Sequence, residues 1–160
     1  MLDVNLSGNG YEIVDYVTLS IPHLKEVLRI KNLPEFVCWD KDAHKVSWNE
    51  HLNFISSLRG DDTRKYYAVF KDGKYIGTIN FRKEHDGVWS RGIGTVPSFQ
   101  GKGETEKWER QVLYALPKDI FKKLTADVKL DNLRSIRYHQ KMGFVEIGRD
   151  KNYVYYEKVL

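Results

Sequence analysis

The segment from Tyr11 to Ser20 alternates and is rich in β-branched residues, which predicts a strand. Ser20 is a good N-cap, and Ile21-Pro22 open a helix expected to run to about Asn32. Ser47 to Glu50 has the form of a capping box, a hydroxyl at the cap and a carboxylate three residues on. Trp48, Leu52, Ile55 and Leu58 recur at helical spacing and give that helix one apolar face, ending near Gly60. The period then drops to two. Lys65–Phe70 and Tyr75–Phe81 read as strands joined by a turn at Asp72-Gly73, a hairpin signal. Arg82–Gly87 is polar and reads as a loop. Val88–Val96 reads as a strand broken by Gly92 and Gly94, a pattern that suggests a bulge or the close approach of a ligand. A helix is expected from about Thr105 to Leu116, a strand over Leu124–Leu130, and a helix over Asn132–Met142 stopped by Gly143. Phe144–Arg149 and Tyr153–Lys158 complete the pattern as a strand pair. The order β-α-α-β-β-β-α-β-α-β-β predicts a mixed α/β sheet.

Composition narrows the class. With 160 residues, 41% hydrophobic and 30% charged, the chain reads as a single globular domain over residues 1–160. Its one cysteine, Cys38, leaves no internal disulfide framework and no cysteine-rich zinc site. The five histidines show no ligand spacing, so no metal is expected. No apolar run approaches the roughly 18 residues of a membrane span, and the N-terminal segment lacks the basic and apolar regions of a secretory signal. A cytoplasmic protein with no membrane partner is expected. Net charge is +4 and uneven: residues 1–80 carry 10 basic and 11 acidic residues, residues 81–160 carry 16 and 11. The basic half suits an anionic ligand. Its charges are interleaved and form no arm of the kind that grips nucleic acid, so no nucleic-acid partner is expected.

Two segments carry candidate chemistry. Gln100-Gly-Lys-Gly-Glu-Thr105 follows a strand and opens a helix. Unpaired N–H groups and the helix dipole there favour an anion, and glycines admit a phosphate close to the backbone. Neither a Walker loop nor a dinucleotide fingerprint is present. Taken alone, the segment serves equally as an anion cradle or as a glycine-bearing surface loop. The second segment, Asp131 to Phe144, places Asn132 at a helix start, with Arg134 and Lys141 offering donors. Alone, it reads as an amphipathic helix with a glycine stop.

Together the two segments resemble the GNAT superfamily of acetyl-CoA-dependent N-acetyltransferases. The family's pyrophosphate loop, Q/R-x-x-G-x-G/A, is matched by Gln100 and Gly103, with Thr105 off-pattern at the last position. Its later helix, N-x-x-A-I-x-x-Y-x-K-x-G-F, is matched or nearly matched by Asn132, Ser135, Ile136, Lys141, Gly143 and Phe144. The resemblance implies a mostly antiparallel twisted sheet with about four flanking helices and a bulged fourth strand. It implies acetyl-CoA as co-substrate, with the pyrophosphate held at Gly101, Lys102, Gly103, Glu104 and Thr105 beside Gln100. Pantetheine would run along Ile93, Gly94, Thr95 and Val96, with Asn132 and Lys141 nearby. His139 stands where many members carry a tyrosine that protonates the leaving thiolate, with Tyr138 one residue earlier. A histidine supplies a proton near neutral pH, and a one-residue helix distortion would bring Tyr138 there instead. Glu84, His85 and Asp86, before the fourth strand, are the candidate bases.

The acceptor half shows a narrower likeness. Leu28–Pro34, Ser47–Ile55 and Tyr66–Phe81 resemble the UDP-4-amino-sugar N-acetyltransferases of pseudaminic acid synthesis. By that resemblance Lys31, His51 and Phe54 hold the nucleotide of a small-molecule amine acceptor. Lys31 replaces an arginine of that group and loses its planar two-pronged grip on phosphate. Asn80 would lie near the amine and Lys83 near a phosphate. Three readings stay open: a nucleotide-linked amino sugar as acceptor, another amine (aminoglycoside, polyamine, amino acid or protein N-terminus), or a non-catalytic CoA-binding module. A monomer or a homodimer is compatible with each.

Overall fold

In the computed structural model, which describes residues 5–39, 41–42 and 44–160, eight strands form one sheet. Residues 1–4, at the head of the segment read for a secretory signal, lie outside the described residues. Asn5–Gly8 (β1) and Tyr11–Asp15 (β2) form a hairpin. Its turn residues Asn9 (φ 52°) and Gly10 (φ 83°) are both left-handed, as a two-residue type I′ turn demands. β1 adds to the expected elements, and its sequence signal is that Asn-Gly pair. β2 stops at Asp15, short of Ser20, because the Asp15 carboxylate accepts from Val17 N–H at 3.0 Å and turns the chain into a 3-10 turn over Tyr16–Thr18.

Three helices follow: Ile21–Lys31 (α1), Pro34–Val37 (α2) and Trp48–Leu58 (α3). Ser20 caps α1, and both hydrogen bonds of the Ser47/Glu50 capping box form at α3. The single turn of α2 is new, and Pro34 opens it. Then come Arg64–Lys71 (β3), Lys74–His85 (β4), Val88–Thr95 (β5), Glu104–Ala115 (α4), Lys123–Lys129 (β6), Leu133–Lys141 (α5), Val145–Arg149 (β7) and Tyr153–Val159 (β8). β4 continues through His85, so most of the polar stretch expected as a loop is strand. Cross-strand pairing to β5 overrides its polarity.

The sheet order is β1-β2-β3-β4-β5-β6-β8-β7, antiparallel except between β5 and β6. One face packs on α4 and α5 through Ile79, Phe81, Trp89, Trp108, Val112 and Met142. The other packs on α1 and α3 through Ala68, Phe70, Leu24, Val27, Ile55 and Leu58. Each large side chain so buried contributes about 1.5–3 kcal/mol. Among the described residues no helix is long and apolar enough to cross a membrane.

β5, the fourth strand as counted from the sequence, does not bulge in its ladder with β4. Pairing runs unbroken from Gly77↔Thr95 to Lys83↔Trp89, and the one register shift falls between Lys83 and His85. Gly92 and Gly94 instead admit close neighbours. A Cβ on Gly92 would stand 2.5 Å from Asn80 Nδ2, and one on Gly94 would stand 3.0 Å from Phe36 Cε1. The irregularity lies on the other edge. β5 bonds to β6 only over Val88–Ser90 against Lys123–Thr125. Beyond that, β5 stays with β4 and β6 stays with β8, so the two parallel strands splay and open a cleft in the middle of the sheet.

Candidate active site

Two adjoining cavities occupy the splay. The larger, about 590 Å³, is lined by Ile93, Gly94 and Thr95 of β5 and by Gln100, Gly101, Gly103 and Thr105 around the start of α4. Asn132, Ser135, Tyr138 and Lys141 of the α5 segment close one side, and Phe36 and Trp39 close another. The smaller, about 180 Å³, shares Trp39, Ile93, Asn132 and Ser135 with it. It adds Arg91, Gly92, His139, Lys41, Asp127 and Tyr153.

The loop before α4 is shaped for an anion. Gly101 (φ 73°) and Gly103 (φ 74°) take left-handed backbone that an L side chain rarely adopts, and Gly103 is the N-cap of α4 with no side-chain cap. The first N–H groups of α4 therefore keep no partner within the helix. Gln100 braces the loop, donating from Nε2 to Thr95 O at 2.9 Å and accepting from Arg134. Thr105, off the family pattern, is bonded to Thr95 through the two hydroxyls at 2.6 Å. Glu104 turns away from the cavity, accepting from Tyr11 and pairing with Lys71 at 3.0 Å, which together hold its carboxyl below the usual range. The extended edge of β5, the left-handed glycines and the free helix start fit an acyl-CoA, whose phosphates need N–H donors and whose pantetheine needs a strand edge. Acetyl-CoA supplies the activated acetyl group as a thioester.

Several expected residues stand elsewhere. Val96 is buried in the core under α1 and α3 and donates its N–H to Ile76 O at 2.9 Å, so it has none for pantetheine. Lys102 lies over the Phe99 ring and lines neither cavity. Lys141 lines the larger cavity but is tied to Glu106 at 2.7 Å. Asn132 caps α5, its Oδ1 accepting from Ser135 N–H at 3.2 Å, and lines both cavities. Glu84 is exposed at the far end of β4 and accepts from Thr125 Oγ1 at 3.0 Å; it lines neither cavity, whereas Asp127 lines the smaller one and Glu35 and Glu106 the larger. Lys83 pairs with Asp86 at 2.7 Å at that same hairpin end.

The acceptor candidates divide. His51 is buried, not open to a ligand. Burial and then the Lys31 charge push its pKa down, its hydrogen bond is with the backbone of Leu24, and its Nε2 has no partner among the described residues. Phe54 and Lys31 do share a surface, with the Lys31 ammonium 5.7 Å from the Phe54 ring centre. Phe54 meets Tyr66 edge-on at 4.9 Å. Tyr66 pairs with Asn80 across β3–β4, and Asn80 with Gly92 across β4–β5. A row on one sheet face thus runs from this aromatic cluster to the cleft.

His139 cannot act as the expected acid. Its Nδ1 lies 2.7 Å from Ser135 O and its Nε2 lies 3.0 Å from Arg91 Nη1. A carbonyl only accepts and a guanidinium only donates, so the ring is neutral, with its one proton on Nδ1 given to Ser135. Burial and then the Arg91 charge push its pKa down to about 3. Tyr138 lines the larger cavity, but its hydroxyl donates to Glu109, and burial followed by the Glu109 charge raises its pKa far above the usual phenol value.

Behind the cleft sits a buried network that the motifs do not announce. Arg91 pairs through Nε with Glu109 at 2.8 Å, and both side chains are essentially inaccessible to solvent. Its guanidinium lies over the Phe144 ring at 4.6 Å. The signal was periodic. Trp89, Arg91 and Ile93 share a face by strand alternation, and Glu109 shares the apolar face of α4 with Val112 and Leu113.

Comparison with known proteins agrees with this geometry. The model of the acetyltransferase (GNAT) family matches residues 25–144. Acetyltransferase PseH of Campylobacter jejuni subsp. jejuni serotype O:2 is 26% identical over 146 residues, covering 90% of each chain. The crystal structure of Campylobacter jejuni N-acetyltransferase PseH in complex with acetyl coenzyme A aligns with a TM-score of 0.74 at 21% identity, covering 93% of this chain and 98% of that one. Spermidine N-acetyltransferase from Vibrio cholerae, in complex with CoA and spermine, aligns at 0.79 with 15% identity, covering 95% and 96%. The two structural likenesses show a shared fold. The family match spans most of the chain and both motif segments, so the chain belongs to the acetyltransferase (GNAT) family and is an acyltransferase that uses acetyl-CoA.

Proposed function

We propose that this acetyltransferase acts on the primary amine of a nucleotide-linked amino sugar. The observation that carries this reading is the row from Lys31, Phe54 and Tyr66 through Asn80 to Gly92, which joins an aromatic, cationic surface to the cleft. A base can stack on the aromatics, and Lys31 can meet a phosphate. The sugar would then reach over Asn80 to the smaller cavity. The match to Acetyltransferase PseH along both halves of the chain supports the same reading.

The site residues divide the work of a direct transfer. The acceptor amine must be neutral to attack. Asp127 is the carboxylate lining the smaller cavity, held by Lys41 at 2.5 Å, and is placed to receive the amine proton. The backbone N–H of Ile93, on the cleft edge of β5, polarises the acetyl carbonyl as charge grows on its oxygen. Phe36 and Trp39 cover the cleft and help exclude water.

A thiol-release assay with acetyl-CoA and a panel of amines tests the acceptor: UDP- and dTDP-linked 4-amino sugars, the free sugars, a polyamine and an aminoglycoside. Turnover of a nucleotide sugar, with the free sugar far poorer, is expected. Phe54→Ala should raise KM for the nucleotide sugar about 10-fold with little change in kcat, the loss of one stacking contact. Equal turnover of the free sugar, or an unchanged KM in that variant, would remove the nucleotide from the reading.

A further inference from the structure

The smaller cavity already holds a primary amine of the chain itself. Lys41 lines it together with Gly92 and Ile93 of β5, Asp127 of β6 and Tyr153 of β8. The Lys41 ammonium stands 2.5 Å from Asp127 Oδ2 and 4.9 Å from the centre of the Tyr153 ring. An alkyl ammonium on a carboxylate and an aromatic face is what an acceptor amine would present there before it loses its proton. The segment that carries Lys41 is tied to the sheet. Lys129 Nζ donates to Cys38 O at 2.7 Å, and Trp39 lines both cavities. The cavity is small, about 180 Å³, so the groups in its wall face one another at short range. The Lys41 side chain is 61% exposed, so it changes rotamer without disturbing the core. Lys141 also carries an amine in the cleft, but it lines the larger cavity and pairs with Glu106 of α4 at 2.7 Å.

We propose that Lys41 is a site of self-acetylation, its side-chain amine taking the acetyl group from bound acetyl-CoA when no acceptor fills the smaller cavity. The inference rests on the acetyl transfer and the proton-accepting role of Asp127 described above, but not on which amine accepts. The Lys41 ammonium gives one proton to Asp127. The neutral nitrogen attacks the thioester carbon, and the C=O π pair moves to oxygen, beside the Ile93 N–H. That pair returns, and the C–S bond breaks with its electrons on sulfur. The nitrogen loses a second proton as the amide forms, and sulfur takes one up. The products are Nζ-acetyl-lysine and the CoA thiol, and Asp127 returns its proton to solvent, so charge balances. Acetylation removes the positive charge and with it the ion pair to Asp127. The carboxylate is then free for an incoming amine, so the modification converts a self-occupied site into an open one.

The test is mass spectrometry of the whole protein incubated with acetyl-CoA and no acceptor, followed by peptide mapping. The wild type should gain the mass of one acetyl group, on Lys41, at a rate constant independent of protein concentration, as a reaction within one molecule requires. Lys41 should be modified at least about 10-fold faster than any other lysine, because only it is held at the reacting centre. Asp127→Asn, which keeps the shape and loses the base, should slow the modification about 100-fold while calorimetry still shows CoA bound. Lys41→Arg should remove the added mass. Acetyl spread evenly over the lysines, or none on Lys41 while CoA binds, would overturn the inference and leave the nucleotide-sugar reading standing. Failure of CoA to bind at all would overturn the cleft assignment and the inference together. Acetylated Lys41 in a protein that turns over no nucleotide sugar would uphold the inference and remove that reading alone. If a variant does not fold, the wild-type map still decides.

Discussion

His139 shows how one substitution within a motif changes a residue's task. A tyrosine in its place would carry a hydroxyl proton. The imidazole, wedged between a carbonyl and a guanidinium, has no proton on the nitrogen that faces Arg91. Its place in the network has a consequence for stability. The unfolded chain takes up a proton at this residue near pH 6.5, whereas the folded one resists until about 3. Below pH 6.5 the unfolded state binds more protons, so stability rises with pH there and is lost as pH falls from about 6.5 toward 3. Buried His51 has its pKa lowered as well and adds a loss of the same sign. Thermal melts of wild type and His139→Gln at pH 7 and pH 5 should show the wild type losing more between the two. Parallel losses would place His139 in contact with solvent.

At the scale of elements, β5 and the start of α4 work as a pair. The strand offers an edge that β6 abandons after Ser90, and the helix offers N–H groups in line with it. Gly103 holds the junction in left-handed backbone. Gly103→Asp should weaken acetyl-CoA binding about 10-fold or more, since it adds backbone strain and puts a carboxylate where phosphate would sit. Calorimetry with CoA measures this, and unchanged affinity would move the pyrophosphate elsewhere. The pattern Val88–Val96 made the strand legible, and its two glycines left a bulge and a close approach both open. Glycines in a strand signal either an extra residue or a close neighbour. Here Asn80 and Phe36 are the neighbours, from a strand and a helix distant in sequence.

Across the whole molecule, the cleft exists because two parallel strands part company while each keeps its other partner. α4 and α5 wall the larger cavity on one side and the segment around α2 walls it on another, while α1 and α3 pack the opposite sheet face. Trp39 is 42% exposed and lines both cavities, so it touches whatever occupies either. Trp39→Ala should raise KM for the acceptor several-fold and leave the melting temperature within about 2 °C of wild type, because an exposed side chain contributes little to folding. A large drop in melting temperature with unchanged kinetics would make Trp39 structural.

The sequence by itself determined the strands and helices through their periods, the capped starts of α1 and α3, the hairpin at Asp72-Gly73, and the two motif segments of the donor side. These are local or evenly spaced signals, and short-range sterics and burial of one face suffice to express them. It also contained the inward placement of Arg91, as strand alternation, and of Glu109, as helical spacing. Only the tertiary structure decided which side chains meet. It buried His51, put Glu84 away from both cavities and Asp127 in the wall of the smaller, and closed His139 between Ser135 and Arg91. Those outcomes depend on register across the sheet and on contacts between residues distant in sequence, 48 positions apart for Arg91 and His139 and 86 for Lys41 and Asp127, which no local pattern encodes.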